Sequence, residues 1–335
     1  MELLKKLYCI HSKSGDEHNM VEFIMAHVDE VLPGAKVDID NYNNVYITKG
    51  ESKTYPCVVA HTDQVQHIHS KDFMAVETDD IIFGYSKKNK RFEGLGADDK
   101  NGIWIALKCL MDLPVPMKVA LFTGEEIGCV GSSHADMSFF DNARFVIEPD
   151  RKGSGDLITN ICMTSLCSRR FIKAIGYKAY GYKKEEGLLT DVLTLKERDL
   201  GVSCVNISCG YYNPHTDNEF TVKKDLLNAL DFTKHIITSC TSVYRHKYES
   251  TYINSGKGSY FNNTYMLNGF DKELNRMQFD YEYETAVSEA EHIITNNPDM
   301  SFDDLLGIMQ MYYPMLSDDD IKDIYDYVKA NNYYI

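Results

Sequence analysis

Apolar runs of strand length alternate along this chain with segments of helical periodicity, and that alternation limits the fold more than any other feature. "PCVVAH" (56–61), "MKVALFTGEE" (117–126), "ARFVIEPD" (143–150) and "VSCVNISCG" (202–210) read as strands. "GIWIALKCLMDL" (102–113) reads as a helix between the first two, and another helix is expected over about 223–241. Strands that alternate with helices form a mostly parallel sheet with helices on both faces. The expected fold is therefore α/β, a three-layer α/β/α sandwich around a mostly parallel mixed sheet. Ahead of it, helices are expected over 2–11 and 17–32, where Val21, Ile24, Met25 and Val28 recur at helical spacing. "KVDIDNYNNVYITKG" (36–50) alternates like an antiparallel hairpin with "NYNN" as its turn.

The 335 residues suit one large α/β domain with a smaller appendage. The main domain is expected over 1–244. The stretch 245–280, rich in Tyr, Asn, Gly and Ser, reads as an irregular connection. Residues 281–335 read as a helical appendage, with helices at 281–294, 301–312 and 317–330. No chemistry is legible in this tail.

The net charge of −15, with no concentrated basic cluster, argues against nucleic acid or an anionic membrane as a partner. No run approaches the ~18 apolar residues of a spanning helix, and the opening stretch lacks the pattern of a secretory signal. Nine scattered cysteines read as buried small hydrophobes in a reducing compartment, so a cytoplasmic location is expected. The Cys162/Cys167 and Cys204/Cys209 spacings match no familiar zinc pattern.

His61, Glu125, Glu126 and Asp150 fall at the carboxyl ends of apolar strands, where open α/β sheets bind ligands. Five segments in all carry acids and histidines: "HTD" (61–63), "GLGADDKNG" (94–102), "TGEEIG" (123–128), "EPDRKG" (148–153) and "NPHTDNE" (213–219). Two zinc-like ions about 3.5 Å apart need a bridging carboxylate, with a histidine and another carboxylate on each ion. The residue types present meet that count.

In order and wording these segments resemble the co-catalytic dinuclear zinc exopeptidases, a group that spans aminopeptidases, peptidase T and glutamate carboxypeptidase-like enzymes. The resemblance runs over roughly residues 55–220, and "ADDKNG" and "EEIGCVGS" come close to the family's phrasing. It implies two divalent ions, zinc first, with cobalt or manganese as alternatives. His61 and Asp150 would hold one ion, Glu126 and His215 the other, and Asp98 would bridge them. Asp63 would fix the His61 tautomer, and Glu125 would be the general base. A cis peptide is expected at Asp98–Asp99. Glu148 is the alternative to Asp150, because relatives differ between an "EP" and a "DR-x-G" phrase and this chain has both.

The implied activity is hydrolysis of amide bonds, by an aminopeptidase or a di- or tripeptidase. Hydrolysis of N-acyl amino acids is the alternative, and a non-catalytic binding protein is a third reading. The partner is a peptide or N-acyl amino acid, and the oligomeric state is not legible. Only 64 residues separate Asp150 from His215, and 34 separate Asp63 from Asp98, so neither interval is expected to hold the lid or insertion found in many relatives. Tyr211 and Tyr212 are candidate oxyanion donors. Asp191 is either a contact for a ligand or substrate amine, or a helix N-cap. His67 and His69 are expected in a loop at the rim. Arg169 or Arg170 would serve a substrate carboxylate.

Overall fold

The buried apolar runs pair side by side in one sheet. The computed structural model describes residues 1–161, 164–247, 286–287, 289–295, 297–313 and 316–331. Its strands are β1 (Lys36–Ile39), β2 (Val45–Lys49), β3 (Tyr55–His61), β4 (Phe73–Glu77), β5 (Ile81–Ser86), β6 (Arg91–Phe92) and β7 (Met117–Phe122). They continue with β8 (Ala143–Arg151), β9 (Asp156–Ile161), β10 (Thr164–Ser165), β11 (Lys183–Gly187), β12 (Cys204–Ser208), β13 (Tyr211–Tyr212) and β14 (Phe220–Val222). The helices of this part are α1 (Glu2–Tyr8), α2 (His18–Val31), α3 (Ala97–Asp112), α4 (Val130–Ser133), α5 (Arg169–Ala174), α6 (Asp191–Glu197) and α7 (Lys223–Ser239).

The main sheet runs β1-β2-β7-β3-β8-β12-β9-β10, with β11 also paired to β9. β7, β3, β8 and β12 are mutually parallel, while the β1–β2 hairpin and β9 join antiparallel. Alternation sorts the central strands between two cores. Val58, Ala60, Val119 and Leu121 pack into a core with residues of α1, α2, α3 and α7. Cys57, Val59, Ala120 and Phe122 face a second core that includes Val192 and Leu195 of α6. Burial on both faces is why these strands lack polar alternation.

Two expectations need correction. The strand in "MKVALFTGEE" stops at Phe122, so Glu125 and Glu126 lie in the following loop. The 34-residue interval before Asp98 does hold extra structure. There β4, β5 and β6 form a small antiparallel sheet completed by β14 and β13, in the order β13-β14-β5-β4 with β6 on β5. That sheet was missed because its strands are short and half exposed. By contrast, the interval from Asp150 to His215 holds β9 to β13 with α5 and α6.

The chain divides into two compact units, Met1–Thr251 and Tyr252–Ile335. In the second, helices Phe302–Tyr312 and Asp318–Asn331 and helical residues within 286–295 share a core of Ala286, Ala290, Ile294, Leu305, Met309 and Ile324. The expected connection lies outside the described residues from 248 onward, as do 281–285 of the first tail helix and Cys162. The remaining cysteines are free and, except for exposed Cys9, buried. No described helix is long and apolar enough to cross a membrane.

Candidate metal centre

His61 is the last residue of β3, and Asp150 lies near the end of β8, on the neighbouring parallel strand. Asp98 sits at the start of α3, where the Asp98–Asp99 peptide is cis. Glu126 belongs to the loop after β7. His215 is in the loop between β13 and β14, so the small sheet carries it.

These five residues converge into two groups that share Asp98. One is His61, Asp98 and Asp150; the other is Asp98, Glu126 and His215, with the donor atoms of each group within 4.8 Å of one another. The Asp98 carboxylate is divided between them: Oδ1 is 3.1 Å from His61 Nε2, and Oδ2 is 3.2 Å from His215 Nε2. His61 Nε2 is also 3.6 Å from Asp150 Oδ1. Glu126 Oε1 lies 3.1 Å from His215 Nε2 yet is buried without a hydrogen bond. Glu148 Oε1 and Asp191 Oδ2 are buried without a partner too, but of these acids only the Glu126 oxygen has a histidine and a second carboxylate converging on it, as a cation needs. Two imidazoles, two terminal carboxylates and one divided carboxylate suit a pair of zinc-like ions.

Glu148 does not join either group. It is fully buried, and its Oε2 accepts a hydrogen bond from Thr190 Oγ1 at 2.7 Å. Asp150 is therefore the residue that faces His61.

Asp63 has more contacts than its expected role requires. Its Oδ1 lies 3.2 Å from His61 Nδ1 and accepts from the Glu125 backbone N–H at 2.9 Å. Its Oδ2 accepts from the Glu126 N–H at 3.2 Å and from Ser14 Oγ at 2.7 Å. One buried carboxylate thus fixes both an imidazole and the Glu125–Glu126 loop.

Glu219 was missed by sequence reasoning, although it closes the quoted segment "NPHTDNE". Its buried carboxylate accepts from the N–H groups of Gly96 at 2.7 Å and Asp98 at 3.1 Å, holding the turn that presents Asp98. Asp99 supports the site similarly, accepting from Gly102 N–H at 2.9 Å.

The other candidates separate clearly. Tyr211 is buried with its hydroxyl 3.4 Å from Asp150 Oδ1, whereas the Tyr212 hydroxyl bonds Asp225 at 2.7 Å. Asp191 is not the N-cap of α6, which is Thr190; its Oδ1 accepts from Ser132 Oγ at 2.5 Å. His67 is exposed, and His69 stacks between His11 and Phe73. Both arginines open α5, and Arg170 is buried with its guanidinium 5.1 Å from the Tyr244 ring centre.

The electrostatics reflect the crowding of acids. Burial, reinforced by neighbouring carboxylates, pushes Glu125, Glu148 and Asp191 each up to about 8. Burial and the nearby Asp99 and Asp98 hold Asp150 well above the usual carboxylate range. Burial would also raise Asp98, but His215 and His61 outweigh it and hold that carboxyl low. The Asp98 and Glu126 carboxylates beside its Nε2 raise His215 to about 10. Multivalent cations would relieve the same repulsion that these protons relieve.

No protein-family model and no curated protein sequence matches the chain. Its structure is similar to that of aminopeptidase PepT from Bacillus cereus ATCC 10987, at 13% identity and a TM-score of 0.59, covering 71% of this chain and 97% of that one. It is also similar to a tripeptidase from Staphylococcus aureus subsp. aureus Mu50, at 14% identity and a TM-score of 0.54, covering 70% and 95%. Aminopeptidase APDkam598 from the archaeon Desulfurococcus kamchatkensis matches at 17% identity and a TM-score of 0.51, covering 70% and 93%. The chain has the fold of these peptidases.

Proposed function

We propose that the chain is a two-metal exopeptidase that removes residues from the amino end of peptides. The observation that carries this reading is the division of the Asp98 carboxylate between two donor groups, each completed by one histidine and one acid. Two divalent ions held there, zinc first, would supply Lewis-acid chemistry: a more acidic water and stabilised charge on the substrate carbonyl oxygen. His61 and Asp150 hold one side, Glu126 and His215 the other, and Asp63 keeps His61 Nε2 directed at the centre.

Glu125 is the general base. It is adjacent to Glu126 but outside both donor groups, so its carboxylate is free to take a proton from the attacking water. The same carboxylic acid then delivers the proton to the leaving amine. The Tyr211 hydroxyl donates to Asp150 Oδ1 and orients the Asp150 carboxylate.

The test is metal analysis of the purified protein followed by a panel of aminoacyl p-nitroanilides, dipeptides, tripeptides and N-acyl amino acids with added zinc, cobalt or manganese. The expected result is two ions per chain and turnover of substrates with a free amino group. Turnover confined to N-acyl amino acids overturns the aminopeptidase reading in favour of a deacylase. Glu125→Gln is expected to keep its metal and lose turnover by about a thousandfold.

A further inference from the structure

The loop that carries Glu125 folds back sharply, with N–H groups of Gly128 and Cys129 both donating to the Glu125 carbonyl at 2.9 Å. Three residues in it have positive φ: Gly124 at 62°, Gly128 at 105° and Cys129 at 55°. Glycine takes this conformation without cost, and a residue with a Cβ does not. The first two positions are glycine; the third keeps a side chain despite its backbone. That side chain is 1% exposed, and its Sγ lies 3.6 Å from Glu125 Oε1, an ordinary length for a thiol donor. Among the described residues it is the one hydrogen-bond donor to the Glu125 carboxylate.

We infer that Cys129 is a positioning residue for Glu125: its thiol holds one oxygen of that carboxylate and so limits the directions the side chain can take. The thiol also meets the Thr194 side chain, and a backbone strain kept at a residue that touches the proposed base points to use of that contact. The inference rests on the reading of Glu125 as the base. Without the thiol, Glu125 explores more rotamers and spends less time aligned for proton transfer.

Cys129→Gly makes the inference testable, because glycine suits φ 55° and removes the thiol without straining the loop. Cys129→Ser restores a donor of similar size. The measurements are metal content, melting temperature, and kcat and KM on an aminoacyl p-nitroanilide that the wild type hydrolyses. Cys129→Gly is expected to match or exceed the wild-type melting temperature, keep its metal, and lose about tenfold in kcat with KM within about twofold. Cys129→Ser is expected to regain most of the lost kcat. A Cys129→Gly protein with unchanged kcat overturns the inference, as does a serine variant no better than glycine. If the metal-loaded wild type hydrolyses no substrate in the panel, the exopeptidase reading itself has failed.

Discussion

Asp63 spans two parts of the centre, because the carboxylate beside His61 also accepts from the backbone of Glu125 and Glu126. Its replacement should therefore disturb both metal affinity and the base. Asp63→Ala is expected to weaken metal binding by about 10–100-fold, measured by chelator competition. It should also lower kcat at saturating metal; full recovery of kcat there would reduce Asp63 to a partner of His61 alone. Glu148 and Asp150 present the opposite lesson. Two residues apart on a strand, they share a face, so alternation along the sequence left both open. The structure separates them by their partners, Thr190 for one and His61 for the other. Glu148→Gln is expected to retain two ions per chain, and Asp150→Ala to fall toward one, as read by metal analysis. Glu219 was illegible because nothing in a lone acid says that it will accept two backbone N–H groups 121 and 123 positions away.

At the scale of elements, legibility followed burial. β3, β7, β8 and β12 announced themselves as continuous apolar runs because both of their faces are covered. β5 alternates half-buried with buried positions, and β6 and β13 are two residues long, so the small sheet leaves almost no periodic trace. That sheet nevertheless positions a proposed ligand. β14 pairs with β5, and the loop joining β13 to β14 carries His215. Thr221 of β14 bonds the Tyr8 hydroxyl at 2.8 Å and Asn101 of α3 at 3.2 Å, which ties the sheet to the helix that presents Asp98. Gly84 in β5 is the weak point, since a Cβ there would lie 2.0 Å from the Glu93 carbonyl oxygen and 2.6 Å from the Phe73 ring. Gly84→Ala is expected to destabilise the protein by about 3 kcal/mol. The ion between Glu126 and His215 should be lost before the other. Melting curves with metal titration check this; equal loss of both ions would mean that the sheet does not set the position of His215.

At the scale of the whole molecule, the crowding of buried acids at one sheet edge is expected to make stability depend on pH and, through the proposed ions, on metal together. Glu125 and Glu148 rise from 4.5 to about 8, and Asp191 rises from 3.8 to about 8. Between about pH 4 and 8 the native chain holds protons that the unfolded chain has released, so stability falls as pH rises through that window. His215 acts in the same direction, because its stabilisation is present below 6.5 and is lost as pH climbs toward about 10. Asp98 has the opposite sign, but its contribution is lost only below its ordinary value of 3.8, outside this window. Metal-stripped protein is therefore expected to melt higher at about pH 5.5 than at about pH 8. Divalent ions replace the protons as neutralising charge and bind best to deprotonated ligands, so zinc should raise the melting temperature most at the alkaline end. The gain is about 2.7 kcal/mol when free zinc is a hundred times its dissociation constant. Melting curves of chelator-treated protein across this range, with and without zinc, test the coupling. A melting temperature independent of pH without metal, or a zinc effect equal at both ends, would mean that the acids around Asp98 do not share one electrostatic site.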